Sequence, residues 1–579
     1  MTDPTSPGPP PAPRPGAAPA GAAPAGAAAT GTGAAAPASA WSPFRYRAFT
    51  LLWTATLVSN IGTWMNDVGS GWLMTVLSPS PAVVALVQSA TTAPVFLFAL
   101  LAGALADRID RRRYLVAVNA IVAVVIAVLA LVTSLGLMTP LLLLVFTFAI
   151  GTGAAFVAPA WQAVVPGLVP RGALQPAIAL NSMGINISRA IGPALAGVLI
   201  TAVGLSAPFI ANAVSTVVIV VALLAWRPAP EPARTLPPEP ILGAMLTGLR
   251  HAARNPALRA TMLRSFGFFT FASAYWALLP LVARSLPGGG AELYGVLLAA
   301  VGAGAVSGAL SLPWLRRKVD SNLLAALGTG VTALGMVLLG LAGNTPVALL
   351  AAVLGGLGWI AVLTSLNVSA QTALPDWVRA RGLAVTLMVF FGCMSAGAAI
   401  WGQVAAAGSI RMALLIAAAG ALVAIPLTWR AKLGQGEALD LSPALGWADP
   451  VIDPELGESH DRGPVLVTIR YEVPAELTEG FLAAIGTLSG ERYRNGAHDW
   501  GVSQDAADPR IWLEWFFLPS WVEHLRHHAR TTRDEQEVHA SVRAFHRGTQ
   551  APEVRHYLAP ERRKAGRHPH SRAGAAPAP

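Results

Sequence analysis

Two charged residues, Asp67 and Arg189, lie deep within long apolar segments of the chain. An ionised side chain inside a bilayer is costly and usually faces a cavity or a partner. Asp67 is the only carboxylate well within an apolar segment between residues 49 and 430, and none of these segments contains a histidine. If proton movement drives a process across these segments, Asp67 is the leading candidate for the group that carries the proton. The alternative is that Asp67 has only a structural role as the partner of Arg189. The amides of Asn66 and Asn186 would add neutral polar lining.

The turn GALADRIDRRR, residues 103–113, combines a glycine, two acids and a group of arginines. A carboxylate at the end of a helix needs a partner, which a facing helix N-terminus or an arginine can supply. Gly103 is expected to let its helix approach a neighbour closely. The residues singled out are Gly103, Asp107, Arg108, Arg111 and Arg112. A charged turn that only orients two helices is the alternative interpretation.

Residues 181–197, NSMGINISRAIGPALAG, carry a helix-breaking pair, Gly192 and Pro193. Proline removes a backbone hydrogen bond, so a kink is expected there. Small residues let helices approach closely: Gly184, Gly192 and Gly197 would form one small face, and Gly302, Gly304 and Gly308 would form a matching one. A plain structural kink at Gly192, Pro193 and Gly197 is the alternative.

The composition places these residues in a membrane protein. The chain has 579 residues, 54% hydrophobic and 12% charged, which is too apolar for a soluble protein of this length. Twelve apolar segments between residues 49 and 430 reach the roughly 20 residues that cross a hydrocarbon core, and in lipid each must be a helix. The net charge of +10 sits mainly in membrane-flanking loops, so nucleic-acid binding is not predicted.

Basic residues cluster in alternate loops, around 108–113, 171, 316–318 and 379–381 and in the longer 227–259 connection, whereas the loops on the other side carry only Arg284 and Arg411. By the positive-inside rule, the Arg-rich side is cytoplasmic. An even number of spans then places both termini in the cytoplasm of a multi-pass protein of the plasma (inner) membrane.

The apolar segments fall into two similar halves. PAWQAVVPGLVPRGAL (159–174) and VSAQTALPDWVRARGL (368–383) match at one offset, as expected for the internal repeats of secondary transporters. The predicted fold class is an all-α polytopic membrane protein with twelve transmembrane helices in two pseudo-symmetric six-helix bundles, plus a C-terminal α+β ferredoxin-like cytoplasmic domain. The predicted boundaries are a disordered Ala/Pro-rich tail at 1–40, bundles at 41–226 and 260–430, a cytoplasmic linker at 227–259, a second linker at 431–463, the ferredoxin-like domain at 464–558 and a basic disordered tail at 559–579.

Residues 464–558 show the order βαββαβ, with strands at 465–473, 496–504, 511–517 and 554–558 and helices at 475–489, 520–529 and 532–546. His524 and His528 stand four apart on one helix face, which would suit a two-histidine metal patch. A solvated or dimer-facing helix is the preferred interpretation. The single Cys393 lies within an apolar segment, and no metal site, cofactor or catalytic residue is predicted.

With these motifs, the chain resembles the major facilitator superfamily, whose loop signature reads G-x-x-x-D-R-x-G-R-R. Gly103, Asp107, Arg108, Arg111 and Arg112 match it, and Asp110 stands at the family's second glycine. The resemblance implies a cytoplasmic latch that holds the two halves together in the outward-facing state and docks near Arg381 and Gly382. The Gly192-Pro193 pair is similar to the helix-5 signature of the superfamily's exporters.

The stretches WSPFRYRAFTLLW, ADRIDRRR, ALNSMGINISRAIGPALAG and LPDWVRARGLA resemble the enterobactin-exporter-like branch, the transmembrane secretion effectors, over about residues 41–430. This resemblance implies export of a small amphiphilic molecule, such as a siderophore, drug or secondary metabolite, by alternating access with proton antiport. Residues 464–558 resemble antibiotic-biosynthesis-monooxygenase-like modules, which dimerise through their sheets, so a homodimer is expected. A membrane-anchored monooxygenase-like enzyme and an importer are the alternatives.

Overall fold

The computed structural model describes residues 39–106, 109–228, 241–442, 444 and 462–559. Long helices make up its first part. Six precede the Pro-rich connection: α1 (Arg47–Leu77), α2 (Pro81–Ala106), α3 (Arg111–Ser134), α4 (Pro140–Val164), α5 (Leu174–Ala202) and α6 (Ala207–Ala225). The short α7 (Ile241–Arg254) is followed by six more: α8 (Pro256–Ser285), α9 (Ala291–Arg316), α10 (Ser321–Leu341), α11 (Thr345–Thr372), α12 (Arg379–Ala407) and α13 (Ile410–Leu427).

Polar caps explain where many of these helices begin. The side chains of Asp110, Thr139, Asn255, Asp320, Asn344 and Ser409 each accept the backbone N–H three residues ahead. Each cap satisfies one of the donors that a helix start leaves without an intrahelical partner. The predicted tails and most of both predicted linkers lie outside the described residues.

Among the described residues, eleven helices, α2–α6 and α8–α13, are long and apolar enough to cross a membrane. Helix α1 is not one of them, although its 31 residues would extend about 46 Å at 1.5 Å per residue. Its polar side chains, including Asn60, Asn66 and Asp67, make it less apolar than the others. Of the twelve predicted spans, eleven therefore correspond to helices with the length and composition of a membrane span. That α1 also crosses the membrane stays a prediction.

The two sets of six helices, α1–α6 (the first set) and α8–α13 (the second set), pack in the same way. In the first set, α1 packs on α5 and α6, α2 on α4, and α3 on α4 and α6. In the second set, α8 packs on α12 and α13, α9 on α11, and α10 on α11 and α13. Each contact in one set thus has its counterpart in the other, which is the arrangement that the sequence repeat predicts.

Two helix pairs, α2 with α12 and α5 with α9, form the main contacts between the sets. Leu100 and Val385 share a buried cluster at the end that carries the arginine-containing turns, here called the Arg-rich end. At the opposite end, a Cβ built on Gly402 would lie 2.5 Å from Cβ of Ala85. The α2–α12 pair therefore joins the sets along most of its length.

The C-terminal part contains β1 (Val465–Glu472), α14 (Thr478–Arg494), β2 (Asp499–Gln504), β3 (Ile511–Leu518), α15 (Trp521–Arg530), α16 (Arg533–Arg543) and β4 (Glu553–Leu558). Its strands form one antiparallel sheet in the order β2-β3-β1-β4. Phe481, Ile485 and Leu488 of α14 are buried against one face of this sheet, together with Val467 and Phe516. The strands and helices predicted for this part are all present, with ends shifted by a few residues.

Two features differ from the sequence expectations. The segment expected to be a flexible linker is packed at its beginning: Leu433 N donates to Asn322 Oδ1 at 2.7 Å, and Arg264 Nε donates to the carbonyl of Ala431 at 2.8 Å. Helix α15 is not a solvated helix, because it lies on the sheet and His524 is only 1% exposed. Both differences arise from tertiary contacts that local sequence patterns do not encode.

Candidate functional site

Asp67 lies on α1 where the two helix sets meet. Gly71, one helical turn further along, packs directly on Tyr294 of α9, since a Cβ built on Gly71 would lie 2.9 Å from Tyr294 Oη. Trp72 stacks on the same tyrosine ring, with centroids 6.4 Å apart. Asp67 itself is half-buried and within electrostatic range of Tyr294. The carboxylate thus belongs to the junction between α1 and the second set.

Arg189 of α5 also contacts α1 but does not pair with Asp67. Its guanidinium carbon lies 5.5 Å from the centroid of the Trp64 ring, a cation–π geometry. Its Nε is buried and has no hydrogen-bond acceptor in the described part of the chain. No ion pair between Asp67 and Arg189 occurs in that part. The carboxylate on α1 and the guanidinium on α5 are therefore two separate charges.

Several polar atoms on α1 and α8 are buried without a partner among the described residues: Oδ1 of Asn66 and Oγ of Ser70 on α1, and Oη of Tyr275 and Nε1 of Trp276 on α8. Buried polar atoms are almost always hydrogen-bonded, to water or a ligand where the protein supplies nothing. Asn186 differs, because its Nδ2 donates to the carbonyl of Ser182 in its own helix at 2.9 Å. Of the two predicted amides, Asn66 is therefore the one with unused bonding capacity.

Aromatic side chains form a wall in the second set. Trp276 and Trp359 lie with ring centroids 5.2 Å apart. Phe269 lies 5.4 Å from Trp359 and 4.3 Å from Phe390. These edge-to-face arrangements create one continuous aromatic surface. Because Nε1 of Trp276 has no hydrogen-bond partner among the described residues, the wall combines apolar area with a hydrogen-bond donor.

The predicted glycine faces are right for some members and wrong for others. Gly197 meets α9, since a Cβ there would lie 3.0 Å from the carbonyl oxygen of Ala291. Gly302 meets α5 in the same way, since a Cβ built on Gly302 would lie 3.2 Å from Cα of Ala190. Gly192 and Gly184 instead face α1, and Gly304 and Gly308 face α11. Gly295, which the sequence analysis did not single out, is the tighter contact: a Cβ there would lie 2.5 Å from the carbonyl oxygen of Pro193.

Helix α5 continues as one α-helix through the predicted breaking pair. It runs from Leu174 to Ala202 with Pro193 inside it. Gly192 lies against α1, where a Cβ would come within 2.5 Å of Cβ of Trp64. The pair thus sits at the point where α5 contacts both α1 and α9, which is a packing role in addition to any bend.

The predicted latch is only partly described. Asp107 and Arg108 lie outside the described residues, and Arg111 begins α3. Among the described residues, no atom outside the backbone of its own helix lies within 4 Å of a Cβ built on Gly103, so the expectation that this residue packs closely on a neighbouring helix is wrong. Arg112 Nε donates to the carbonyl of Leu223 at 2.9 Å, which ties α3 to the end of α6 within the first set. Asp110, at the signature's second glycine, caps α3 through Arg113 N at 2.8 Å.

At the Arg-rich end, α7 connects the helix sets to the C-terminal domain. Arg254 lies 4.3 Å above the ring of Tyr493, and Arg530 lies 4.6 Å above the ring of Trp377, which precedes α12. Between them, His251 is buried edge-on to Trp377, with centroids 5.5 Å apart. Burial, assisted by the charge of Arg494, lowers the pKa of His251 to about 4, so its ring is neutral at pH 7. We call these residues the docking contact.

The profile of a family described as transmembrane secretion effector matches residues 38–564, including the C-terminal domain. The staphyloferrin A transporter of Staphylococcus aureus is 25% identical over 337 residues, covering 57% of this chain and 82% of that protein. The enterobactin exporter EntS of Escherichia coli is 28% identical over 340 residues, covering 58% of this chain and 79% of that protein.

Solved structures show the same helix arrangement. A POT family transporter in complex with a thioalcohol-conjugated peptide has a TM-score of 0.55 at 14% identity, covering 66% of this chain and 96% of that one. An inward-facing, occupied bacterial homologue of the human lysosomal transporter Spinster has a TM-score of 0.54 at 15% identity, covering 67% and 97%. At these identities the likeness establishes the fold alone.

Proposed function

Because the chain belongs to the transmembrane secretion effector family of the major facilitator superfamily, we propose that it exports a small amphiphilic molecule across the plasma membrane in exchange for protons. The protein is a multi-pass membrane transporter, and its named relatives are transporters and exporters, not enzymes. The direction of transport, the substrate and the coupling ion are the parts that we propose.

One observation carries the substrate proposal: polar atoms that are buried without a partner among the described residues adjoin the aromatic wall of the second set. Tyr275 has such an atom, and its ring centroid lies 6.0 Å from that of Trp276. Trp276 has another, and its ring centroid lies 5.2 Å from that of Trp359. Small-molecule sites typically combine apolar lining with a few polar groups that fix orientation. A siderophore or similar metabolite with aromatic and polar groups fits this combination, and the names of the two relatives support that class.

Alternating access follows from where the sets touch. At the end opposite the Arg-rich end, Arg284 of α8 donates to the carbonyl of Thr75, and Gly197 packs on Ala291. At the Arg-rich end, the two sets touch through the buried cluster that contains Leu100 of α2 and Val385 of α12. Helix α7 also contributes side chains to this cluster. We place the Arg-rich end, both termini and α7 in the cytoplasm, from which substrate enters. Whether the turn at Asp107 and Arg108 acts as a latch stays a prediction.

Proton coupling is assigned to Asp67. It is the carboxylate at the junction with Tyr294, so its charge acts on a contact that must change when the sets move. Protonation would remove that charge from a medium of low dielectric constant, where a lone charge is costly. Arg189, held over Trp64, would supply a separate positive charge for an anionic substrate group.

We assign the C-terminal domain a regulatory role on a ferredoxin-like fold related to antibiotic-biosynthesis-monooxygenase-like modules. The sheet order and the two helical connections support the fold. The open sheet face carries Trp515, Phe517 and Tyr557, of which Tyr557 is 47% exposed, and this face supports pairing with a second copy. The docking contact joins the domain to the start of α12, so a change in the domain would reach the helix sets.

Transport in vesicles of known orientation tests the proposal. Energised inside-out vesicles should accumulate a labelled catecholate or carboxylate siderophore, and a protonophore should abolish the accumulation. Vesicles containing the Gly295→Leu variant, in which the α5–α9 contact is obstructed, provide the matched control for leakage. Accumulation only in right-side-out vesicles would establish an importer, and accumulation that survives the protonophore would exclude proton antiport.

A further inference from the structure

Three histidines converge beneath α15 in the C-terminal domain. His524 and His528 stand one helical turn apart on α15, and His556 comes from the edge strand β4. In the sheet register, His556 lies beside Val467, on the face that the helices cover. The ring centroid of His524 lies 4.7 Å from that of His528 and 4.5 Å from that of His556. The fold therefore brings His556 next to two histidines that precede it in the chain by 28 or more positions.

The ring nitrogens of this cluster are arranged as ligands would be. One nitrogen from each histidine lies within 4.8 Å of the others. His524 is 1% exposed, and neither of its nitrogens has a hydrogen-bond partner within the described ranges. Nε2 of His556 is likewise buried without one. Buried polar atoms are almost always hydrogen-bonded or otherwise satisfied, so His524 and His556 have bonding capacity that the described residues do not use.

The surroundings shield the cluster. Trp521 covers the cluster, with its ring 5.2 Å from His524 and 5.9 Å from His556. A neutral imidazole in a shielded site has a free lone pair, which is the form that binds transition metals.

We propose that His524, His528 and His556 bind a divalent transition metal ion of the Zn²⁺ class, with a fourth position open to water or a small ligand. Three imidazoles suit zinc and similar ions, whereas magnesium and calcium prefer oxygen ligands. With Zn–N distances of about 2.1 Å, two ligands of a tetrahedral site stand about 3.4 Å apart. Because the nitrogens lie within 4.8 Å of one another, side-chain movements that shorten these distances by up to about 1.4 Å bring the cluster to that spacing. The site requires neither the transport direction nor the substrate proposed above.

The full-length protein in detergent, purified without a polyhistidine tag, provides the test. Equilibrium dialysis against Zn²⁺ should give one bound ion per chain by elemental analysis. Co²⁺ should give the visible absorption of a four-coordinate site. His524→Ala and His528→Ala should each weaken Zn²⁺ binding by at least about tenfold, since even indirect disturbance of a metal site costs that much.

His498→Ala is the matched control, because His498 is 42% exposed and lies outside the cluster, so its removal should leave binding unchanged. His528 is only half-buried, so His528→Ala tests the site even if His524→Ala disturbs folding. Binding of less than one ion per several chains, or binding that His528→Ala and His498→Ala alter equally, would overturn the proposal.

Discussion

Ser89 of α2 and Ser395 of α12 each bond to the other's backbone across the contact between the two helix sets. Ser89 Oγ donates to the carbonyl of Ser395 at 2.7 Å, and Ser395 Oγ donates to the carbonyl of Ser89 at 3.3 Å. The pair lies between the Ala85–Gly402 contact and the Leu100–Val385 cluster. It therefore sets the register of α2 against α12 in the middle of the seam, about which the sets would have to rotate.

We expect the double variant Ser89→Ala, Ser395→Ala to lower the free energy of unfolding by about 1 kcal/mol, because an interhelical side-chain hydrogen bond in a membrane contributes about 0.6 kcal/mol on average. Unfolding titrations with a denaturing detergent would measure the change. Ser307→Ala is the control, since the hydrogen bond that the Ser307 hydroxyl makes within the described part of the chain is to the carbonyl of Ala303 in its own helix. A double variant as stable as the wild type would show that the reciprocal bonds do not hold the seam.

Gly295→Ala should lower both stability and transport. A Cβ at this residue would lie 2.5 Å from the carbonyl oxygen of Pro193, and backbone cannot move aside as a side chain can. Overpacking of this kind costs about 1–3 kcal/mol. Gly330→Ala in α10 is the matched control, because no described atom outside the backbone of its own helix lies within 4 Å of a Cβ there. Thermal denaturation and vesicle uptake at equal expression are the measurements; equal behaviour of the two variants would contradict close packing of α5 on α9.

Asp67→Asn should abolish proton-coupled transport while the protein stays folded, because asparagine keeps the size of the side chain and removes its charge. Uptake into inside-out vesicles with an imposed pH gradient is the measurement. Glu292→Gln serves as control, since Glu292 is an exposed carboxylate at the start of α9. Wild-type coupling in Asp67→Asn would move the proton site elsewhere, and loss in both variants would indicate a general effect of removing acidic charge.

Trp377→Ala should loosen the C-terminal domain from the helix sets. The ring of Trp377 carries the cation–π contact with Arg530, and a desolvated contact of this type contributes up to about 2 kcal/mol. Hydrogen exchange of α14 in the full-length protein should therefore become faster. Trp314→Ala is the control. It removes a similar contact within the second helix set, because Nζ of Lys318 lies 4.0 Å from the centroid of the Trp314 ring, and it should leave exchange in α14 unchanged. Equal exchange in wild type and Trp377→Ala would show that the docking contact does not hold the domain.

A buried acid and histidine make the stability of the C-terminal domain respond to pH in a specific way. Glu491 Oε1 lies 2.6 Å from His539 Nε2. Burial raises the pKa of Glu491 to about 7, and burial, assisted by the charge of Arg492, lowers that of His539 to about 3. Alone, the raised Glu491 pKa gives stability that is fully present below pH 4.5 and is lost as the pH rises to about 7. The lowered His539 pKa acts oppositely, with stability gained as the pH rises from about 3 to 6.5.

In the wild type, the two contributions cancel between about pH 4.5 and 6.5. Glu491→Gln should remove one of them, so the domain should gain up to about 1.4 kcal/mol per pH unit relative to the wild type in that range. Hydrogen exchange of β3 in the full-length protein, corrected for the intrinsic rate at each pH, would measure this. Parallel pH profiles for variant and wild type would contradict the pairing of a neutral acid with a neutral imidazole.

The sequence by itself determined the elements, because their signals are local. Apolar length and caps such as Asn255 and Asp320 set the helix ends, and alternation in 465–473 identified a central strand of the C-terminal sheet. The sequence repeat likewise indicated two sets with matching contacts. Asp67 and Arg189 were recognised as candidates because charged residues are unusual within apolar segments.

Only the tertiary structure decided which residues meet. Gly302 and Gly304 are two positions apart, so they point about 200° apart around a helix and contact α5 and α11 respectively. Gly103 was expected to be packed and is open, because its neighbours depend on the tilt of whole helices. His556 joins His524 and His528 through the register of an edge strand, and Tyr294 meets Gly71 and Trp72 through the approach of α1 and α9. Such pairings depend on distances through space, which spacing along the chain does not determine.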